Sequence, residues 1–395
     1  MVNESMRMLG ARRSVIRELF EYGKKRKAEI GEENVFDFSL GNPSVPAPRE
    51  VGESLGELLL RDPVRLHGYT SAQGDASVRA SIADYLNRTY DAGVSADCFY
   101  LTVGAAASLT ISLTAILHPG DEVILLAPFF PEYRVFVERT GARAVPVLCA
   151  PPAFQPDFDA LEAAITDKTR AIIVNSPNNP TGAVMTEESV LRLSALLGEA
   201  SARIGTPIYL IADEPYRELV YGGVKVPYLT NYYPDTLVCY SFSKSVSLPG
   251  ERIGYVLVSP KAREFSDLYS AVCGAGRALG FVCAPSMFQY LIPSVLGVTS
   301  DLSIYDANRR LLYKTLTGYG FEAVKPDGAF YLFLKSPEAD ANAFCERAKQ
   351  FELLLVPSDD FGCPGYARIS YCVTTEQIER SLPAFHALAE SYGLK

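Results

Sequence analysis

Histidine is scarce in this chain of 395 residues: there are three, His67, His118 and His386, far apart in sequence. A histidine-built metal centre or a Ser-His-Asp triad therefore has little material. No two of the eight cysteines form a Cys-x-x-Cys, and most lie in apolar runs, where a thiol behaves as a small hydrophobe. With no apolar signal core at the N-terminus, that usage points to a reducing cytoplasm. No apolar run is long enough to cross a bilayer, which argues against a membrane protein. The formal charge of −9 is ill suited to phosphate backbones or anionic lipid, so nucleic acid is an improbable partner. Repeats and low-complexity tracts are also missing.

What is present is an ordinary globular balance, 48% hydrophobic and 21% charged, enough for one large or two medium cores. The first thirty residues read as a basic amphipathic helix, and FDFSLGNPSVPAP as extended chain broken by prolines. From about residue 98 short apolar strands alternate with helices: CFYLTVG, EVILLAP, RAVPVLC, RAIIVNSP, PIYLIAD, TLVCYSFS and IGYVLVS. Nearly wholly apolar strands suit a sheet covered on both faces, and the alternation predicts crossover units in a mainly parallel sheet. From about residue 285, helices flank the short strands AFYLFLK, LLLVP and ARISYC. The fold class is therefore α/β. It has a three-layer large domain with a mainly parallel sheet (46–284) and a smaller α+β domain built from 1–45 and 285–395.

Ligands of open α/β sheets sit beyond the carboxyl ends of the strands. The residues there are Gly104-Ala105-Ala106, Pro128-Phe129-Phe130, Asn178-Asn179-Pro180, Asp213-Glu214-Pro215-Tyr216 and Ser241-Phe242-Ser243-Lys244. Small backbone donors, aromatics, an amide, an acid, a tyrosine and a lysine converge on one rim, a set that suits a flat, anionic, heteroaromatic ligand. Lys244 is unusual locally, because no acid follows it until Glu251.

The stretch SFSKSVSLPGERIG, with GNP, NNPTG and DEPY in order at strand exits, resembles the class I/II pyridoxal-phosphate-dependent aminotransferases over nearly the whole chain. The resemblance implies an enzyme that moves an amino group between an L-amino acid and a 2-oxo acid through lysine-bound pyridoxal 5'-phosphate. Lys244 would form the imine with the cofactor and then move the proton. Arg252 and Ser241 would hold the phosphate, together with the backbone of Gly104, Ala105 and Ala106 at a helix N-terminus.

Asp213 would pair with the pyridine nitrogen. Opposite charges ~4 Å apart gain roughly 4 kcal/mol at an effective dielectric near 20, enough to keep the ring a protonated electron sink. From local sequence alone Asp213 reads equally as a helix cap. Tyr216 and Asn179 would meet the cofactor's 3'-oxygen, and Asn179 would also face the substrate. Phe130 would stack on the ring where aspartate aminotransferases often carry a tryptophan, a residue this chain lacks. Arg368 and the backbone of Gly41 would bind the substrate carboxylate, and Tyr69 would reach the phosphate of a neighbouring subunit in a homodimer. The resemblance also implies cis bonds at Ala127–Pro128 and Asn179–Pro180. Arg277 either meets a distal substrate group or lies on the surface, so dicarboxylate, aromatic and aliphatic substrates stay open. A carbon–sulfur β-lyase of the same fold is the alternative activity; a cofactor-binding regulatory module is a third reading.

Overall fold

The computed structural model describes residues 1–11 and 14–394. Seven strands form one sheet, in the spatial order Phe99–Thr102, Gly254–Val258, Thr236–Ser241, Tyr209–Asp213, Thr169–Asn175, Glu122–Ala127 and Arg143–Leu148. The pairing is parallel throughout except around Gly254–Val258, which runs antiparallel to both its neighbours. The apolar reading of the strands is met in burial: the inner strands are buried almost without a break, as a sheet with helices on both faces requires, whereas the edge strand Arg143–Leu148 is half-exposed.

Local chemistry sets the helix ends that matter. Thr186 caps the helix Glu187–Ile204 through Oγ1 on the Ser189 amide, and Gly205 ends it in the left-handed region. The helix Ala105–Ile116 starts at Gly104, whose φ of 94° only glycine adopts without strain. Ser241 caps the one-turn helix Phe242–Ser245, which carries Lys244.

A second, antiparallel sheet joins Val356–Pro357, Tyr366–Ser370, Tyr331–Lys335 and Ala323–Val324. Phe36–Asp37 pairs in parallel with Leu353–Leu354, and Phe38 and Val45 pack with Phe330, Ile369 and Phe385. The N-terminal segment thus shares a core with the C-terminal part. The helix Ser286–Val295 instead packs on the helices Arg49–Leu58, Pro63–His67 and Ala76–Tyr90. It sends Leu291, Ile292 and Val295 into the core of the large sheet. This helix turns its apolar face to the large sheet's own helices. Among the described residues no helix is long and apolar enough to cross a membrane.

Candidate active site

Five strand exits and the antiparallel sheet enclose a cavity of about 280 Å³. Lys244 and Asp213 line it together with Gly41, Ala105, Ala106, Phe130, Asn179, Tyr216, Ser241, Arg252 and Arg368. Residues from position 105 to position 244 meet here because the strands of the large sheet deliver their carboxyl ends to one edge, and Gly41, Tyr331 and Arg368 reach the same space from the N-terminal segment and the antiparallel sheet.

Lys244 Nζ donates to the Gly41 carbonyl oxygen at 2.6 Å and lies 5.4 Å from the centre of the Phe330 ring. Desolvation lowers its pKa to about 8; Cys372 opposes the shift, while Arg252 and Arg368 add to it. Asp213 shows the converse. Burial raises its carboxyl to about 7, against a hydrogen bond from Tyr133, and Glu214 pushes it up further. Tyr133 Oη donates to Oδ2 of Asp213, and Asn175 Nδ2 donates to the Asp213 carbonyl oxygen at 2.9 Å. Oδ1 of Asp213 is buried and has no hydrogen-bond partner among the described residues. An orphaned carboxylate oxygen at the wall of a cavity is costly unless a donor reaches it.

At the other end of the cavity the groups are cationic and small. A Cβ on Gly104 would lie 2.7 Å from Arg252 Nη2, so a larger residue there would push the guanidinium aside. Arg252 holds a φ of 52°, an uncommon conformation for a side chain of its size. Its Nη1 donates to the Pro249 carbonyl oxygen at 2.9 Å and approaches Ser243 Oγ at 3.4 Å; Ser243 and Ser241 hydroxyls are 2.6 Å apart. The second glycine of GERIG, Gly254, has the same logic, for a Cβ there would run into the Tyr240 carbonyl and the Gly104 backbone. A guanidinium, two hydroxyls and the free amides of a twelve-residue helix face one spot, the donor set of an anion site.

Arg368 is buried across the cavity. It donates through Nη1 to Asn179 Oδ1 at 3.1 Å and through Nη2 to the Ser39 carbonyl, and lies 4.7 Å from the Tyr331 ring centre. Its Nε has no partner among the described residues. Gly41 packs so closely on Tyr331 that a Cβ would meet the phenol oxygen. The peptide bonds Ala127–Pro128 and Asn179–Pro180 are cis, as the resemblance implied, and so are Pro151–Pro152 and Ser176–Pro177.

A family profile described as "Aminotransferase class I and II" matches residues 33–385. The chain belongs to this family. It is an aminotransferase. Its sequence is 30% identical over 375 residues to the aspartate aminotransferase of Thermotoga maritima, covering 93% of this chain and 95% of the relative. It is 31% identical over 350 residues to the aspartate/prephenate aminotransferase of Thermus thermophilus, covering 87% and 88%. The fold superposes with a TM-score of 0.98 on a crystal structure of an amino transferase from Eubacterium rectale, 57% identical and covering 99% of both chains. The Thermus thermophilus aspartate aminotransferase with maleate gives 0.86 at 28% identity, covering 98% of this chain and all of that one. Members of this family generally use pyridoxal phosphate and act on amino and 2-oxo acids.

Two of the residues named from the sequence lie away from the aminotransferase's cavity. Tyr69 is 99% exposed, and Arg277 is an exposed residue in the last turn of the helix Phe265–Leu279. Sequence reasoning passed over the lining residues Ile16, Asn175 and Tyr331, and gave Ser243 a place on the rim but no role. It also missed Tyr133, behind the lining. Asn175 ends a strand, as the named residues do, and its position was a usable signal. Tyr331 alternates with core residues on a strand that pairs far away in sequence, and no local pattern distinguishes it.

Proposed function

We propose that this aminotransferase binds pyridoxal 5'-phosphate between Lys244 and Asp213 and transfers the amino group of an L-amino acid to a 2-oxo acid by alternating the two substrates at one site. The observation that carries the reading is the orphaned Oδ1 of Asp213 in the same cavity as an amine whose pKa is lowered to about 8. A protonated pyridine nitrogen would satisfy that oxygen, and the Gly104–Arg252 end would take the phosphate. When bound, the cofactor supplies the electron sink for the pair left behind when the substrate's Cα–H bond breaks.

The chain's own groups do the rest. Lys244 is the covalent attachment point, and its Nζ carries the proton from the substrate Cα; an amine with a pKa near 8 accepts and returns protons close to neutrality. Asp213, ionised, would pair with the ring nitrogen and favour its protonated form. Gly104, Ala105, Ala106, Ser241 and Arg252 hold the phosphate. Phe130 would pack against the cofactor ring, and Asn179 and Tyr216 would be its hydrogen-bond partners. Arg368, with Asn179 beside it and Gly41 opposite, orients the substrate carboxylate. A homodimer completes the site, with Tyr69 of each copy reaching the phosphate of the other; full exposure of a large aromatic suits a residue covered by a second chain. The eight free cysteines suit a reducing cytoplasm, where we place the enzyme.

The test is to load the purified protein with pyridoxal phosphate and add amino acids singly. Aspartate, named for several relatives, comes first. Bleaching of the bound cofactor's visible absorption with release of the matching 2-oxo acid is the expected result. Pyruvate and a thiol from a cysteine conjugate would mark a β-lyase instead, and binding without turnover a regulatory module.

A further inference from the structure

The one-turn helix that carries Lys244 is also held by groups outside the active-site lining that no motif marks. Ser245, the residue after Lys244, places its Oγ 3.1 Å from the phenol oxygen of Tyr240, and that phenol donates to Oε1 of Glu218 at 3.0 Å. The three side chains share the wall of a second cavity, of about 20 Å³, the room of one water molecule. Oε2 of Glu218 is buried and has no hydrogen-bond partner among the described residues. A phenol has a single hydrogen, and Tyr240 gives it to Glu218, so toward Ser245 its oxygen can only accept. The order is Ser245 hydroxyl to Tyr240 hydroxyl to Glu218 carboxylate. The Ser245 carbonyl is tied separately, by the Ser300 amide at 2.8 Å.

We infer that Glu218 and Tyr240 are positioning residues for Lys244: the carboxylate draws the two hydroxyls into one directed chain that pins the helix holding the amine over the cavity. The inference rests on the pyridoxal-phosphate reading of that cavity.

Charge gives the chain its direction. Two acids, Glu214 and Glu218, meet one guanidinium, and Arg217 turns both Nε and Nη2 to Glu214. Glu218 is left with the Tyr240 hydroxyl. The other titratable groups facing it are phenols: Tyr85 and Tyr90 from the helix Ala76–Tyr90, Tyr228 from the loop before Leu229–Asn231, and Tyr255 from the strand Gly254–Val258. Burial keeps these phenols and that of Tyr240 neutral. Burial raises Glu218 to about 7, while Arg217, a backbone amide and the Tyr240 hydroxyl lower it and Glu214 raises it. Glu218 is therefore ionised across the range in which Lys244 loses its proton, near 8.

Packing alone does not account for the arrangement. The Tyr240 ring stacks on Tyr255 with centroids 5.0 Å apart and meets Phe242 edge to face at 5.1 Å, contacts that a phenylalanine would make equally. A Ser245 hydroxyl turned back on its own helix would leave the Tyr240 oxygen without its donor.

The experiment is the pH dependence of pyridoxal-phosphate capture by the full-length apoprotein, read by the visible absorption of the attached cofactor. It compares the wild type with Tyr240→Phe, Ser245→Ala and the double variant. Loss of the chain loosens the helix and lets water reach the amine. In each single variant the midpoint should therefore rise from about 8 toward the usual lysine value near 10.4. Below the midpoint each unit of that rise slows capture about tenfold. The double variant should shift no further than either single one, because the two hydroxyls belong to one chain. Glu218→Gln keeps an acceptor for Tyr240 and loses the charge, and its midpoint should move the same way by less. A midpoint that stays near 8 in Tyr240→Phe and Ser245→Ala, whatever their melting temperatures, would overturn the inference and leave these side chains a packing role. Shifts that simply add in the double variant would also overturn it. Should Tyr240→Phe fail to fold, the midpoints of Ser245→Ala and Glu218→Gln decide in the same way. A wild type that captures no pyridoxal phosphate would sink the reading of the cavity instead, so the two failures are separable.

Discussion

Lys244 Nζ and the carbonyl oxygen of Gly41 are hydrogen-bonded at 2.6 Å, which ties the one-turn helix after the strand Thr236–Ser241 to the N-terminal segment. The two residues are 203 positions apart; Phe242 and Val246 near Lys244 pack in the core of the large sheet, Phe38 and Val45 near Gly41 in the second core. The amine is therefore held over the cavity from both sides, and Gly41, pressed against Tyr331, has no room to retreat.

Replacing Lys244 with Ala removes the only amine among the described residues that line the cavity. The variant should show no visible absorption of covalently held cofactor, and turnover should fall by at least about 10²–10⁴, the span attributed to a positioned general base. Absorption spectra and steady-state rates check this; wild-type turnover in the variant would remove Lys244 from the mechanism.

The pH dependence of cofactor attachment follows from the same residue. Only the neutral amine attacks an aldehyde, so the rate at which added pyridoxal phosphate is captured by apoprotein should climb with pH through about 8 and then level. The sign for stability is also fixed. Between about 8 and the usual lysine value near 10.4 the folded chain carries fewer protons at this site than the unfolded chain. This group therefore makes the apoprotein more stable as pH rises across that window. A capture rate still rising steeply at pH 10 would mean that the cavity does not desolvate Lys244.

Arg368→Lys keeps the charge and loses the planar fork that spans Asn179 and Ser39. KM for both amino and oxo acids should rise about tenfold or more, the cost of a charge-assisted hydrogen bond, with cofactor affinity little changed. Steady-state kinetics and cofactor titration read the two separately, and an unaltered KM would exclude Arg368 from substrate binding.

Gly104→Val combines two faults: a φ of 94° that a β-branched residue does not adopt, and a side chain that would enter the space of the Arg252 guanidinium. Its cofactor affinity should drop sharply while Lys244 remains reactive to small aldehydes. Normal affinity would show that the phosphate does not lie at this end.

Glu214 and Arg217 form an ion pair in which both side chains are 2–3% exposed, and the guanidinium lies 4.7 Å from the Tyr228 ring centre. Glu214→Gln removes the ion-pair partner of that buried cation. Denaturant unfolding should show a loss of about 3–5 kcal/mol, the usual penalty for breaking a buried pair from one side. A loss below 1 kcal/mol would mean that the turn after Asp213 does not depend on the pair.

Much of this was legible from residue order alone. Short apolar strands with a period matched to two-sided burial, and small or polar residues at each strand exit, located the cavity rim because backbone geometry is local and parallel strands end together. Lys244, Asp213, Arg252 and Arg368 each stand in a short pattern whose residue types carry their chemistry. The pairings across the chain lay beyond such reading. Tyr133 is one of 23 tyrosines and no neighbour in sequence reveals that its hydroxyl ends on Asp213, 80 residues away. Nothing local turns the helix Ser286–Val295 toward the large sheet rather than the small one, or sets Tyr331 beside Gly41. Those facts are decided when distant surfaces compete to bury apolar area and to satisfy buried polar atoms, and that competition has an outcome only once the whole chain is folded.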